Sequence, residues 1–101
     1  MTPVDAAVYA QVATAVFPHA RLRHARPLAG GISAQMVALD VALPDGRSRR
    51  LVVRQASTAA AEYRLLRQLQ PLPVAAPVPL ALDLSGALLP TPYLVLDYVA
   101  G

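Results

Sequence analysis

Apolar positions along this chain recur with two different periods, and the period changes at prolines and glycines. Val8, Val12 and Val16 fall at i, i+4 and i+8, one apolar stripe of a first helix. Thr2 suits its N-cap, Pro3 the first helical position and Asp5 a capping box, and Pro18 closes it. Beyond Pro18 the period drops to two. Leu22 to Leu28 is a short strand that Pro27 restricts to a sheet edge or a strand end. Met36 to Leu43 alternates, with Val37, Leu39, Val41 and Leu43 sharing one face. Pro44-Asp45-Gly46-Arg47 then makes a hairpin turn, because proline presets the first bend and glycine accepts positive φ. The return strand runs from Ser48 to Gln55, with Leu51 and Val53 opposed to Val52 and Arg54.

Helical spacing returns once. Ser57 or Thr58 caps a second helix reaching about Leu69, with Leu65, Leu66 and Leu69 as its buried stripe and Glu62 one turn earlier. Pro71 stops it, and a proline-rich connector runs to Pro79. Leu80 to Leu84, a Ser85-Gly86 turn and a last apolar strand, Tyr93 to Val99, complete the order. The pattern predicts an α+β fold: a five-stranded, mostly antiparallel sheet with one embedded helix, preceded by an N-terminal helix. The boundary falls near residue 20, so residues 1–20 carry the helix and 21–101 the sheet domain.

Composition narrows this picture. The 101 residues are 55% hydrophobic, too apolar for a disordered chain. The uncharged stretch from Gln68 to Leu82 carries four prolines and cannot form a membrane helix. The N-terminus has no basic segment leading into an apolar run, so a cytoplasmic protein is expected. With no cysteine there is no disulfide, thiolate metal site or cysteine nucleophile. The net charge of +3 comes from nine cationic residues, all arginine. Any part that chemistry gives to a lysine must here fall to an arginine.

Individual residues carry little chemistry. Gly30-Gly31-Ile32-Ser33 presents backbone N–H groups of the kind that cradle phosphate, although a glycine pair is also an ordinary tight turn. Arg54 offers an anion a guanidinium and Glu62 on the following helix offers it a partner, although a lone arginine is usually a solvated surface group and a lone helical glutamate is normally exposed. His19 and His24 do not make a metal pair, because their i, i+5 spacing, just beyond Pro18, aligns them on neither one helix nor one strand. No nucleophile elbow supports acyl transfer.

Order carries more than any single residue. Leu28-Ala-Gly-Gly-Ile-Ser33, Leu51-Val-Val-Arg54, Glu62-Tyr-Arg-Leu-Leu66, Pro77-Val-Pro79 and Tyr93-Leu-Val-Leu-Asp-Tyr-Val-Ala-Gly101 follow one another as strand, glycine turn, hairpin, helix and final strands. In this order they resemble the N-terminal lobe of protein-kinase-like phosphotransferases, and most closely the aminoglycoside phosphotransferase and choline kinase group of small-molecule kinases. The resemblance covers Leu28 to Gly101.

It implies ATP as cofactor and a small-molecule hydroxyl as acceptor. Gly30, Gly31 and Ser33 would fold over the phosphates, Arg54 would touch the α- and β-phosphates, and Glu62 would hold Arg54 by an ion pair. Leu96 would back the adenine pocket, with the Asp97 carbonyl and the Val99 N–H as its hydrogen-bonding edge. The glycine loop lacks the fuller G-x-G-x-x-G pattern, which favours the small-molecule branch. The chain also has no His-x-Asp loop and no later Asp for magnesium, so it is expected to be a nucleotide-binding lobe whose magnesium ligands belong to an absent C-terminal lobe. Its cleft face (Leu28, Val37, Leu96 and Val99) is then expected to be exposed and to drive self-association. A non-catalytic interaction module is the alternative. A basic nucleic-acid-binding domain is weaker, because the four tyrosines are too scattered to stack bases. No membrane partner is expected.

Overall fold

A computed structural model describes residues 5–28 and 35–98. Thr2, Pro3, the glycine loop with Gly30, Gly31 and Ser33, and Val99 lie outside the described residues. The elements are α1 (Ala6–Val16), β1 (Arg21–Leu28), β2 (Gln35–Ala42), β3 (Ser48–Gln55), α2 (Ala59–Leu69), β4 (Pro79–Asp83) and β5 (Tyr93–Asp97). The strands form one sheet in the order β1-β2-β3-β5-β4, antiparallel at every pairing. This is the α+β fold expected from the pattern, and β1 with its Pro27 is an edge strand.

The sheet has two covered faces, built by alternation. Opposed residues of an antiparallel ladder point the same way. Val37, Leu39 and Val41 of β2 therefore share a face with Leu51 and Val53 of β3 and Val95 of β5, and α1 packs there through Tyr9, Val12 and Ala13. Leu89 of the β4–β5 loop fills the same core. The opposite face carries Val52, Leu94 and Leu96, covered by α2 through Ala59, Tyr63 and Leu66. β3 lies between β2 and β5 and contributes to both cores, which makes it the strand on which the domain depends.

Several local expectations shift. Asp5, not Thr2, caps α1: its backbone is extended and its Oδ1 accepts from the N–H groups of Ala7 and Val8 at 3.1 and 3.4 Å. The helix ends at Phe17, and His19 takes φ +68° in the turn before β1, so the two histidines share no face. The hairpin turn forms as expected, with Gly46 at φ +89°. On α2 the stripe differs, because Leu65 is 55% exposed while Ala59, Tyr63 and Leu66 meet the sheet. β5 ends at Asp97, two residues earlier than the pattern suggested.

Tyr93 anchors β5 in the α1 core and donates to Asp83 Oδ2 at 3.1 Å. Burial, and then that bond to a carboxylate, push its phenol from the ordinary 10.0 up to about 12. The unfolded chain releases this proton near pH 10, whereas the folded chain holds it until about pH 12. Stability present below pH 10 is therefore lost as pH rises across that window. Tyr9, raised chiefly by burial, acts in the same direction. The urea midpoint is expected to fall between pH 10 and 12, and Tyr93→Phe to flatten the slope. Equal slopes in the two proteins would refute this account.

Candidate functional site

The face covered by α2 is also the face that carries the candidate chemistry. Arg54 lies near the end of β3, opposite Met36 of β2 on one side and Leu94 of β5 on the other. Its Nε donates to Glu62 Oε1 at 2.6 Å, with both side chains a little under one-third exposed. The strand and the helix are joined by three residues, short enough to set Glu62, one turn into α2, directly against the strand end. Arg54 and Glu62 thus form the ion pair that their order in the sequence suggested.

Both partners have further contacts. Arg54 Nη1 approaches Met36 Sδ at 3.6 Å, and Glu62 Oε2 accepts from Thr58 Oγ1 at 2.7 Å. Among the described residues Nη2 makes no hydrogen bond. The guanidinium is anchored through Nε while part of its donor set remains for a ligand. A planar, permanently charged fork held in this way suits a phosphate or carboxylate.

The apolar part of the site lies two residues back along the same strands. Val52 opposes Ala38 on β2 and Leu96 on β5, and Leu28 and Met36 pack against the same cluster. Met36 takes the position expected of Val37. Because Met36 is opposite Arg54, it shares the arginine's face, and Val37 is turned into the α1 core. Val37 and Leu96 are both buried, so they do not form the exposed apolar face expected from the sequence. The large apolar side chains that are exposed among the described residues are Leu65, Leu72, Val74, Val78 and Leu84.

The Asp97 side chain is turned away from the Arg54 face, so only its backbone could serve a site there. Its carboxylate points to the opposite face and pairs with Arg49 Nη2 at 3.1 Å, where Arg49 also lies over the Phe17 ring. Its N–H donates to the Val78 carbonyl at 2.9 Å, and the Tyr98 N–H to the Arg50 carbonyl at 3.0 Å, which ties the end of β5 to both neighbouring strands. The Leu96 side chain, on the Val52 face, and the Asp97 backbone are therefore firmly placed at the end of β5.

A cavity of about 270 Å³ opens on the same face beside Tyr98, lined also by His24, Arg26, Ala38, Asp40 and Arg50. Ala38, small between larger neighbours, leaves the depression. His24, Asp40 and Arg50 stand opposite one another on three successive strands. Of these three the sequence drew attention to His24 alone, paired with His19, because only the strand register aligns it with Asp40 and Arg50. Among the described residues no group of three or more His, Cys, Asp or Glu is arranged to hold a metal, and no helix is long and apolar enough to cross a membrane.

Comparison with known proteins supplies one finding. Residues 24–101 match the family model described as the phosphotransferase enzyme family, a span from β1 to the end of the chain that includes every residue of the site. No curated protein matches the chain.

Proposed function

The chain belongs to the phosphotransferase enzyme family, and we propose that it is the ATP-binding lobe of a small-molecule kinase that transfers the γ-phosphoryl group to a hydroxyl acceptor. The observation that carries this reading is the Arg54–Glu62 pair at 2.6 Å, on the sheet face it shares with Val52 and Leu96. An anchored cation next to a cavity suits a nucleotide, which is an anion at one end and a flat purine at the other.

In this reading Arg54 binds the α- and β-phosphates and Glu62 keeps it from swinging away. Backbone N–H groups of Gly30, Gly31 and Ser33 cover the phosphates from above. Adenine enters the cavity beside Tyr98, which the buried Val52 and Leu96 back, with the Asp97 carbonyl and the Val99 N–H as its hydrogen-bonding edge. Magnesium, when bound, would neutralise charge on the phosphates.

The reading also calls for carboxylates to hold that metal and to orient the acceptor hydroxyl. The five aspartates of the chain are otherwise placed. Asp5 caps α1, Asp45 and Asp97 pair with arginines, and Asp83 accepts from Ser85 and Tyr93. Asp40 lies in the cavity wall between His24 and Arg50, on the far side of Val52 from Arg54. A hydroxyl-orienting carboxylate and a metal are both needed for transfer.

The test is direct. Titration calorimetry with ATP is expected to give saturable binding to the pure chain, while a coupled assay with magnesium and ATP gives no ADP. Absence of ATP binding would sink the nucleotide reading. Magnesium-dependent ADP formation would show that these residues assemble a complete active site.

A further inference from the structure

Thr58 occupies the N-cap of α2, where a threonine ordinarily accepts a hydrogen bond from a backbone N–H of the first turn. Here the side chain makes no cap bond. Its hydroxyl is instead directed at Glu62, donating to Oε2 at 2.7 Å, while Oε1 accepts from Arg54 Nε at 2.6 Å. The two oxygens of one carboxylate are thus held by two elements, the start of the helix and the end of β3. Glu62 sits four residues after the cap, so this is not the reciprocal capping box, in which the acidic residue is at the third position and returns to the cap N–H.

The consequence follows from the freedom of a glutamate. A carboxylate held through one oxygen still turns about its last torsion, which is broad, and an arginine bonded to it turns with it. A second bond at the other oxygen fixes the carboxylate plane and, through Nε, the plane of the guanidinium. Met36 Sδ, 3.6 Å from Nη1, bounds a second side of the group, and Nη2 is left for a ligand. We propose that Thr58 is a positioning residue: by clamping Glu62 it aims the Arg54 guanidinium at the nucleotide phosphates. This rests on the ATP-binding reading above. The class of ligand that feels Thr58 is one with a phosphate chain, and the base alone is insensitive to it.

The experiment compares Thr58→Val, which keeps the branched shape without the hydroxyl, with Thr58→Ser, which keeps the hydroxyl. Thr58→Ala serves as a second deletion should valine disturb the turn. Affinities for ATP and adenosine are measured by calorimetry on the full chain, and the Arg54 Nε–H resonance is followed by NMR without ligand. Loss of one positioning hydrogen bond is expected to weaken ATP roughly 3–10-fold in the valine and alanine variants. Serine should restore the wild-type value, with adenosine affinity unchanged throughout. The Arg54 Nε–H signal should shift or broaden in valine and alanine and recover in serine. An unchanged Arg54 signal in both deletions, or parallel loss of ATP and adenosine, overturns the proposal. The failure of the wild-type chain to bind ATP would overturn the nucleotide reading instead, and the ligand-free Arg54 signal would still decide whether Thr58 sets the guanidinium.

Discussion

Replacing Leu51 with alanine is expected to remove about a third of the domain's stability margin. Leu51 is fully buried at the centre of β3, in the same core as Tyr9, Val12, Leu39 and Val53. Truncating a leucine in such a site removes its transfer free energy and leaves a cavity, at a cost of about 2–5 kcal/mol. A domain of this size has a total stability on the order of 5–15 kcal/mol, and each kcal/mol moves Tm by roughly 4–8 °C. Thermal denaturation followed by circular dichroism should therefore show Tm lowered by something on the order of 10–30 °C. Leu65→Ala is the control. Leu65 is 55% exposed on α2, and its truncation should change stability by no more than about 0.5 kcal/mol. Equal losses at the two positions would mean that the two-sided core is wrongly drawn.

That contrast also shows where the sequence stops being legible. Leu65 and Leu66 are adjacent, and helical spacing alone admits either one into a stripe with Leu69. The helix resolves the choice through Ala59, which fits close to the sheet because it is small, and Tyr63, whose ring packs while its hydroxyl reaches Arg67 Nη1. Neither carries much apolar weight in a periodicity argument. The β2–β3 hairpin was readable for the opposite reason, since a proline-glycine turn and strict alternation fix both its register and its length. Alternation also revealed which residues share a face. It left unspecified which face meets the cleft, so Val37 was expected where Met36 stands. The decision lies in the register, which sets Met36 opposite Arg54.

The candidate site divides along the same line. Arg54 and Glu62 were legible because the strand end and the helix start are three residues apart, and so short a connection leaves few geometries. The cap did not follow, because Thr2 and Asp5 both satisfy a capping pattern, and only the extended backbone of Asp5 identifies the residue that accepts from the first turn. The cavity wall of His24, Asp40 and Arg50 comes from three strands, and no one-dimensional spacing brings those residues together. By sequence Ser57 and Thr58 are alternative caps of α2, and the Thr58 hydroxyl turns to Glu62 instead. Its use on Glu62 is a matter of side-chain direction, which composition and order do not encode.

The largest functional effect is expected at Arg54. Arg54→Met keeps the apolar stem against Met36 and Leu94 and removes the charge. If Arg54 carries the α- and β-phosphates, the lost charge-assisted hydrogen bonds cost about 1.5–3 kcal/mol, or roughly 10–100-fold in ATP affinity. Adenosine should bind as before, because Val52, Leu96 and the Asp97 backbone are untouched. Ionic strength provides a second readout: ATP affinity of the wild-type chain should fall as salt rises, and the methionine variant should show a shallower dependence. Stability should change little, since the pair with Glu62 is part-exposed and such pairs contribute at most about 1 kcal/mol. Arg54→Lys is expected to fall between the two, because it keeps a charge near the phosphates but loses the Nε anchor to Glu62 and the planar fork. A methionine variant that binds ATP as tightly as the wild type, with the same salt dependence, would remove Arg54 from the nucleotide site. Equal losses for ATP and adenosine would instead trace the effect to a distorted cleft. The expected pattern, phosphate lost and base retained, is one that only a cation aimed at the phosphate chain produces.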